Sequence, residues 1–399
     1  MRNNSFNIMI FILGLIWIGS CEVLEPSAPM DHEVLDGPID GILADQRAQF
    51  LAGDNAFNKE IFTTATGLGP LFVATSCGSC HAGDGKGHPF TSLVRFGQKD
   101  QTGNHYLNQG GPQLQNRSIP GFTPEQIPLG ATHATFTPPA NTGLGYIELV
   151  SDEDLLALAD PDDKNGDGIS GVPNWNTIPG YVDIPSHAII RDGKYICRFG
   201  KKASTFNLLH QTVNAYNQDM GITSTFFPID QYSSHAIGPE VSDLTVRNVV
   251  SYLQTLKAPI ARNVDQPTIK EGATLFIQTG CESCHQQTLH TSISKIAALS
   301  DKIFHPYTDL LLHDMGSGLD DGYTEGSAKS SEWRTPPLWG LGLSPNAQGG
   351  QYYLLHDGRA TSIEQAIELH GGEALNAVNK YKSLAVADRN KLIQFLKSL

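Results

Sequence analysis

The chain has 399 residues, room for about two ordinary domains. Its 41 acidic against 27 basic side chains leave a formal charge of −14, which argues against a nucleic-acid partner. Only 17% of residues are charged, while glycines number 40 and prolines 23, a balance that points to a loop-rich globular protein and away from a coiled coil or a disordered tail.

At the N-terminus Arg2 precedes an apolar run from Ile8 to Ile18, too short to span a bilayer comfortably. The run ends in Ile18-Gly19-Ser20-Cys21, which resembles a bacterial lipobox and implies cleavage before Cys21 and acylation of that residue. A plain secretory signal is the simpler alternative. No other segment reads as a membrane span. The expectation is an exported protein, lipid-anchored through Cys21 in the bacterial cell envelope at the outer membrane, facing the periplasm or the outside. Residues 22–41 read as a Pro-containing linker.

Next along the chain comes AGDNAF, with Gly53 four residues ahead of Phe57, and then TSCGSCHAGDG from Thr75 to Gly85. The stretch ADPDDKNGDGISGVPN follows. Its Asp163, Asn165 and Asp167 alternate, Gly168 supplies the turn, and Ile169 offers a carbonyl, which matches the first half of a Ca²⁺ loop. The closing glutamate is missing, since Asn174 stands there; an Asx-rich surface turn is the competing interpretation. Val249, Tyr252, Leu253 and Leu256 then form one apolar stripe at helical spacing.

After the linker KAPIARNVDQP the pattern repeats. EGATLF places Gly272 four residues ahead of Phe276, TGCESCHQQT runs from Thr279 to Thr288, and Leu392, Phe395, Leu396 and Leu399 form a second stripe. An opening helix, a Cys-x-x-Cys-His motif and a closing helix look like a cytochrome c domain. The predicted fold is therefore mainly α, with two cytochrome c-like domains in tandem over 42–258 and 265–399. Long Gly/Pro-rich loops enlarge the first between 58 and 76 and between 85 and 240.

The cysteines decide the cofactor. A zinc site built from two Cys pairs leaves the trailing histidines unexplained, and a thioredoxin-like pair does not need them. Covalent haem attachment uses both features: two thiols add to the haem vinyl groups and the adjacent His ligates iron. Two haem c groups are expected, one on Cys77, Cys80 and His81, the other on Cys281, Cys284 and His285. Cys197 reads as a small buried hydrophobe.

Several longer stretches make a family resemblance specific. GLGPLFVATSCGSCHAGDGKG, LADPDDKNGDGISGVPN, RFGKKAS, DMGITSTFFP, PYTDLLLHDMGSGLDDG, EWRTPPLWGLGL and LHDGRATSIEQAIELHGGEA together resemble the bacterial di-haem oxidoreductases, which are related to di-haem cytochrome c peroxidases and to MauG. The resemblance implies one six-coordinate haem that takes in electrons and a more open one that meets peroxide. Where the peroxidases carry a Met ligand after the HDG-like turn, and MauG a Tyr, this chain has His370, so His285/His370 ligation of the second iron is expected; Met315 is the rival. His88, His105 and His133 are the candidates on the far side of the first iron, which is otherwise expected to be open or weakly capped. Glu148 falls near the peroxidases' distal glutamate and is the expected catalytic acid. Arg198 is a candidate anchor for a haem propionate, and Trp175 a candidate electron relay. The implied function is a peroxidase-like oxidoreductase with a redox partner protein and a small oxidant such as peroxide. The alternatives are a non-enzymatic electron-transfer lipoprotein and oxidation of a thiol or sulfur compound.

Overall fold

The computed structural model describes residue 30 and residues 35–98 and 103–399. Cys21 and the apolar run before it lie outside the described residues. Ten α-helices carry the fold there: α1 Ala44–Asn58, α2 Leu144–Glu148, α3 Asp152–Leu158, α4 Leu208–Asn214, α5 Asp243–Thr255, α6 Pro267–Thr279, α7 Ser344–Ala347, α8 Ile363–Glu368, α9 Leu375–Ser383 and α10 Val386–Ser398. The strands are two to four residues long and pair only into small antiparallel sheets. No helix of the described residues is long and apolar enough to cross a membrane.

Both predicted stripes lie on helices. In α5, Val249, Tyr252 and Leu253 are buried; in α10, Leu392, Phe395 and Leu396 are. Ser242 starts α5 by accepting a hydrogen bond from the Thr245 amide at 3.1 Å. Pro267 at the first turn starts α6, and Gly280, at φ +87°, ends it just before the second Cys-x-x-Cys-His motif.

The two halves repeat one helix crossing. α1 packs on α5 and α6 packs on α10. A Cβ on Gly53 would lie 2.1 Å from the Asn248 carbonyl and 2.6 Å from Cβ of Tyr252. A Cβ on Gly272 would lie 2.3 Å from the Lys391 carbonyl and 2.7 Å from Cβ of Phe395. Each glycine therefore meets the carbonyl four residues before the closing helix's central aromatic ring. The aromatic residue one turn later, Phe57 or Phe276, packs on that ring, with centroids 5.5 Å and 5.4 Å apart.

Between the crossings the halves interlock. Val172 bridges Leu312, the Asn174 amide donates to the Glu325 carbonyl at 2.9 Å, and the Thr137 hydroxyl donates to the His356 carbonyl at 3.0 Å. Lys202, fully buried, donates from its ammonium to the carbonyls of Lys329, Ser330 and Glu332 at 2.7–3.0 Å.

Candidate cofactor cavity

Each motif histidine is turned by a backbone carbonyl. Nδ1 of His81 lies 3.0 Å from the Pro139 carbonyl, and Nδ1 of His285 lies 3.0 Å from that of Tyr307. A carbonyl only accepts, so in both rings Nδ1 carries the proton and Nε2 keeps a lone pair. Burial pulls both imidazoles down to about 4, which leaves them neutral at pH 7 and in the ligating form. His370, just past α8, repeats the arrangement with Nδ1 2.6 Å from the Ala366 carbonyl, and burial lowers it too. The three rings differ in their surroundings. His285 lies in the field of His313, whereas His81 lies in that of Lys201.

Both motifs open on one cavity of about 1100 Å³, lined by Cys77, Cys80, His81, Cys281, Cys284, His285 and also His370. It exceeds the ~300–1,000 Å³ of ordinary small-ligand sites, and its continuity between the motifs suits a pair of large planar ligands. Burial pushes Cys77 up to about 12 and Cys80 up to about 11, so both thiols stay neutral. No disulfide joins the described cysteines, and no four-cysteine cluster forms among them. The group Cys284, Asp309 and His313 does have the spacing of metal ligands. However, both ring nitrogens of His313 are spent on carboxylates, Nε2 on Asp309 at 2.8 Å and Nδ1 on Glu373 at 2.7 Å. The zinc interpretation thus finds no site, and the residues present fit a haem at each motif.

Two Cys-x-x-Cys-His segments facing one cavity, with three neutral imidazoles aimed by carbonyls, define a di-haem redox protein. The chain belongs to the di-haem oxidoreductase family: residues 132–399 match the family described as "Di-haem oxidoreductase, putative peroxidase". Among solved structures, hydrazine synthase of Kuenenia stuttgartiensis is 14% identical over 100% of both chains, with a TM-score of 0.39. A MauG-like protein associated with microbial copper homeostasis is 12% identical over 94% of both chains, with a TM-score of 0.40. No curated protein matches the chain.

Several expected residues fall elsewhere. Glu148 ends α2, outside the cavity lining. One oxygen accepts from the Leu208 amide at 2.7 Å and the other from the Gln254 side chain at 2.6 Å, so it ties α2 to α4 and α5. Arg198 is likewise committed, to Asp152 and to the carbonyls of Glu148 and Val150. Trp175 packs in the core under the Arg191 guanidinium, 4.5 Å from the ring centroid, and Cys197 is buried as expected. His88, His105 and His133 do not line the cavity, whereas Met315 does. Asp163, Asn165 and Asp167 accept hydrogen bonds from the backbone amides of Gly168, Asp167 and Ile169, an Asx-rich turn.

The cavity also holds groups that sequence reasoning missed. The helix α4 runs into a π-turn, Ala215–Asp219, which ends with the Asp219 carboxyl in the cavity wall. Asp219 accepts from the Gln113 side chain, and burial raises it to about 6. Its charge acts on both Cys77 and Cys80. Asp219, the last residue of the π-turn, opens the segment DMGITSTFFP, which already carried the family resemblance but named no role. Trp333, also in the wall, stacks on His356 at 3.7 Å between centroids and lies 3.8 Å from the Lys202 ammonium.

Proposed function

We propose that this chain is a peroxidase-type oxidoreductase carrying two covalently bound haems in the shared cavity. Cys77, Cys80 and His81 would hold one haem, and Cys281, Cys284 and His285 the other, with His370 offering a second imidazole to the second iron. The haems, when bound, supply one-electron redox chemistry and the site where peroxide is reduced.

The observation that carries this reading is the unequal setting of two like histidines. His370 lines the same cavity as His285, with its Nδ1 likewise held by a backbone carbonyl. The three histidines considered for the far side of the first iron stand off the cavity. A six-coordinate electron-taking site beside a more open site fits this asymmetry. Peroxide reduction to water consumes two protons and two electrons, and two haems match a donor that delivers electrons singly. Asp219 takes the proton-moving role in place of Glu148. A carboxyl raised to about 6 and facing the cavity suits proton transfer near neutral pH.

Optical and EPR spectra of the haem-loaded protein, with and without peroxide, test this. The wild type is expected to show one high-spin signal that peroxide alters. His370→Ala is expected to add a second high-spin haem. Asp219→Asn is expected to lower peroxide turnover by about 10²–10⁴-fold with haem content unchanged, and Glu148→Gln to leave turnover unmoved. Two low-spin haems indifferent to peroxide would instead make the protein an electron carrier.

A further inference from the structure

Buried cations in this protein are matched almost everywhere. Arg198 meets Asp152, Arg95 meets Glu325, and Lys202 gives its ammonium to three carbonyls. Three half-buried cations in the cavity wall differ. Lys86, five positions after His81, makes no hydrogen bond or ion pair among the described residues, although burial pulls it down to about 8. Lys201 has one polar contact, 3.5 Å from its ammonium to the Thr137 hydroxyl. Arg334 donates only to neutral carbonyls, those of Gly200 at 2.9 Å and Thr335 at 3.4 Å.

The three are near one another. The Arg334 amide donates to the Lys201 carbonyl at 3.0 Å, and the charges of Lys86 and Arg334 both act against that of Lys201. Asp357 acts on Lys201 in the opposite sense, but its own carboxylate is paired with Arg359. A set of like charges, half-buried around one cavity and lacking an anion, is unfavourable, and the strain is relieved when an anion enters.

We propose that Lys86, Lys201 and Arg334 form the binding site for the carboxylate groups of the haem attached at Cys77, Cys80 and His81. This rests on the di-haem reading above. A haem brings two carboxylates, and this cavity wall offers cations without partners. The first motif is the one served, because Lys86 follows it directly and the field of Lys201 reaches His81. The site is assembled from distant parts of the chain, since Arg334 comes from the EWRTPPLWG stretch. Charge-assisted bonds from ammonium and guanidinium groups suit carboxylates. Their positive charge also favours the reduced iron, so the site raises the reduction potential of the first haem.

The test is a spectroelectrochemical titration of the haem-loaded full chain, comparing wild type with Lys86→Gln, Lys201→Gln, the double variant and Lys201→Arg. Two haems per chain are expected throughout, because the attachment is covalent. The first haem's midpoint should fall in each Gln variant, fall furthest in the double variant, and recover in Lys201→Arg. The low-spin His285/His370 haem should stay in place. An unmoved first midpoint in the double variant, or a shift confined to the second haem, overturns the proposal. So does a wild-type midpoint that responds to added acetate, since the cations would then hold a free carboxylate. A wild-type protein without covalent haem would fail the di-haem reading itself, and that is visible before any variant is made.

Discussion

His313 lies between Asp309 and Glu373, each within 2.8 Å of one ring nitrogen, and Glu373 also accepts from the Ser170 hydroxyl at 2.6 Å. Burial alone would lower His313, but the bonds to Asp309 and its other partners raise it well above its ordinary value. Burial alone would raise Glu373, but bonds from His313 and Ser170 bring it down to about 2. The signs then follow. The contribution of His313 is full below its unfolded pKa, about 6.5, and is lost as pH rises through the raised folded value. That of Glu373 is full above about 4.3 and is lost as pH falls through about 2. The pair therefore stabilises most between about pH 4.3 and 6.5. His313→Gln is expected to cost about 3–5 kcal/mol there. Urea denaturation of the haem-loaded protein should show the gap from wild type narrowing on either side of that window, and a gap independent of pH would refute the charge pair. His313 and Asp219 were not legible in the sequence because their partners are remote, Glu373 at 60 residues and Gln113 at 106. Cys77, Cys80 and His81 were legible because five consecutive positions carry the whole chemistry.

The elements were legible where burial imposes a period. The stripes of α5 and α10 face the core because each helix has one partner, α1 or α6, and the glycine on that partner sets how near they come. The short strands escaped notice, since two to four residues are too few for a period of two to show. The long-range bonds of Glu148 were hidden for a related reason. The helix that follows it, α3, is capped by Ser151, which accepts from the Asp154 amide at 3.0 Å. What the local pattern could not convey is that α4 and α5 come across to bind the carboxylate. The glycine crossings yield a direct prediction. Gly272→Ala puts a methyl against the Lys391 carbonyl, a backbone atom that cannot swing away, so α6 and α10 must part. Overpacking of this kind costs about 1–3 kcal/mol. The denaturation midpoint should fall accordingly, and Gly53→Ala should behave alike at the α1–α5 crossing. If either substitution is neutral, the close approach does not hold the helices.

At the scale of the whole molecule, the linker between the helix pairs is not a seam. Residues 256–266 separate the pairs in sequence, yet the structure crosses from one half to the other at many points. Lys202 reaches the carbonyls of Lys329, Ser330 and Glu332; Arg95 pairs with Glu325; and the Gln348 amide donates to the Gly87 carbonyl at 2.8 Å. Removing Lys202 from its place would strand the buried Glu332 carbonyl, at about 1–3 kcal/mol, and free the part-buried carbonyls of Lys329 and Ser330 to water. The shared cavity has the same consequence, because its wall alternates between segments from either side of the linker. A cut in the linker should therefore leave one particle. With a protease site inserted beside the exposed Asn263 and Asp265, the cleaved haem-loaded protein is expected to elute at the volume of the intact chain. Lys202→Met is expected to loosen the cleaved form far more than the uncut one, because in the cleaved form only side-chain and backbone contacts hold the halves together. Separation of the wild-type pieces on cleavage would show instead that each helix pair folds around its own motif, with the contacts between them incidental.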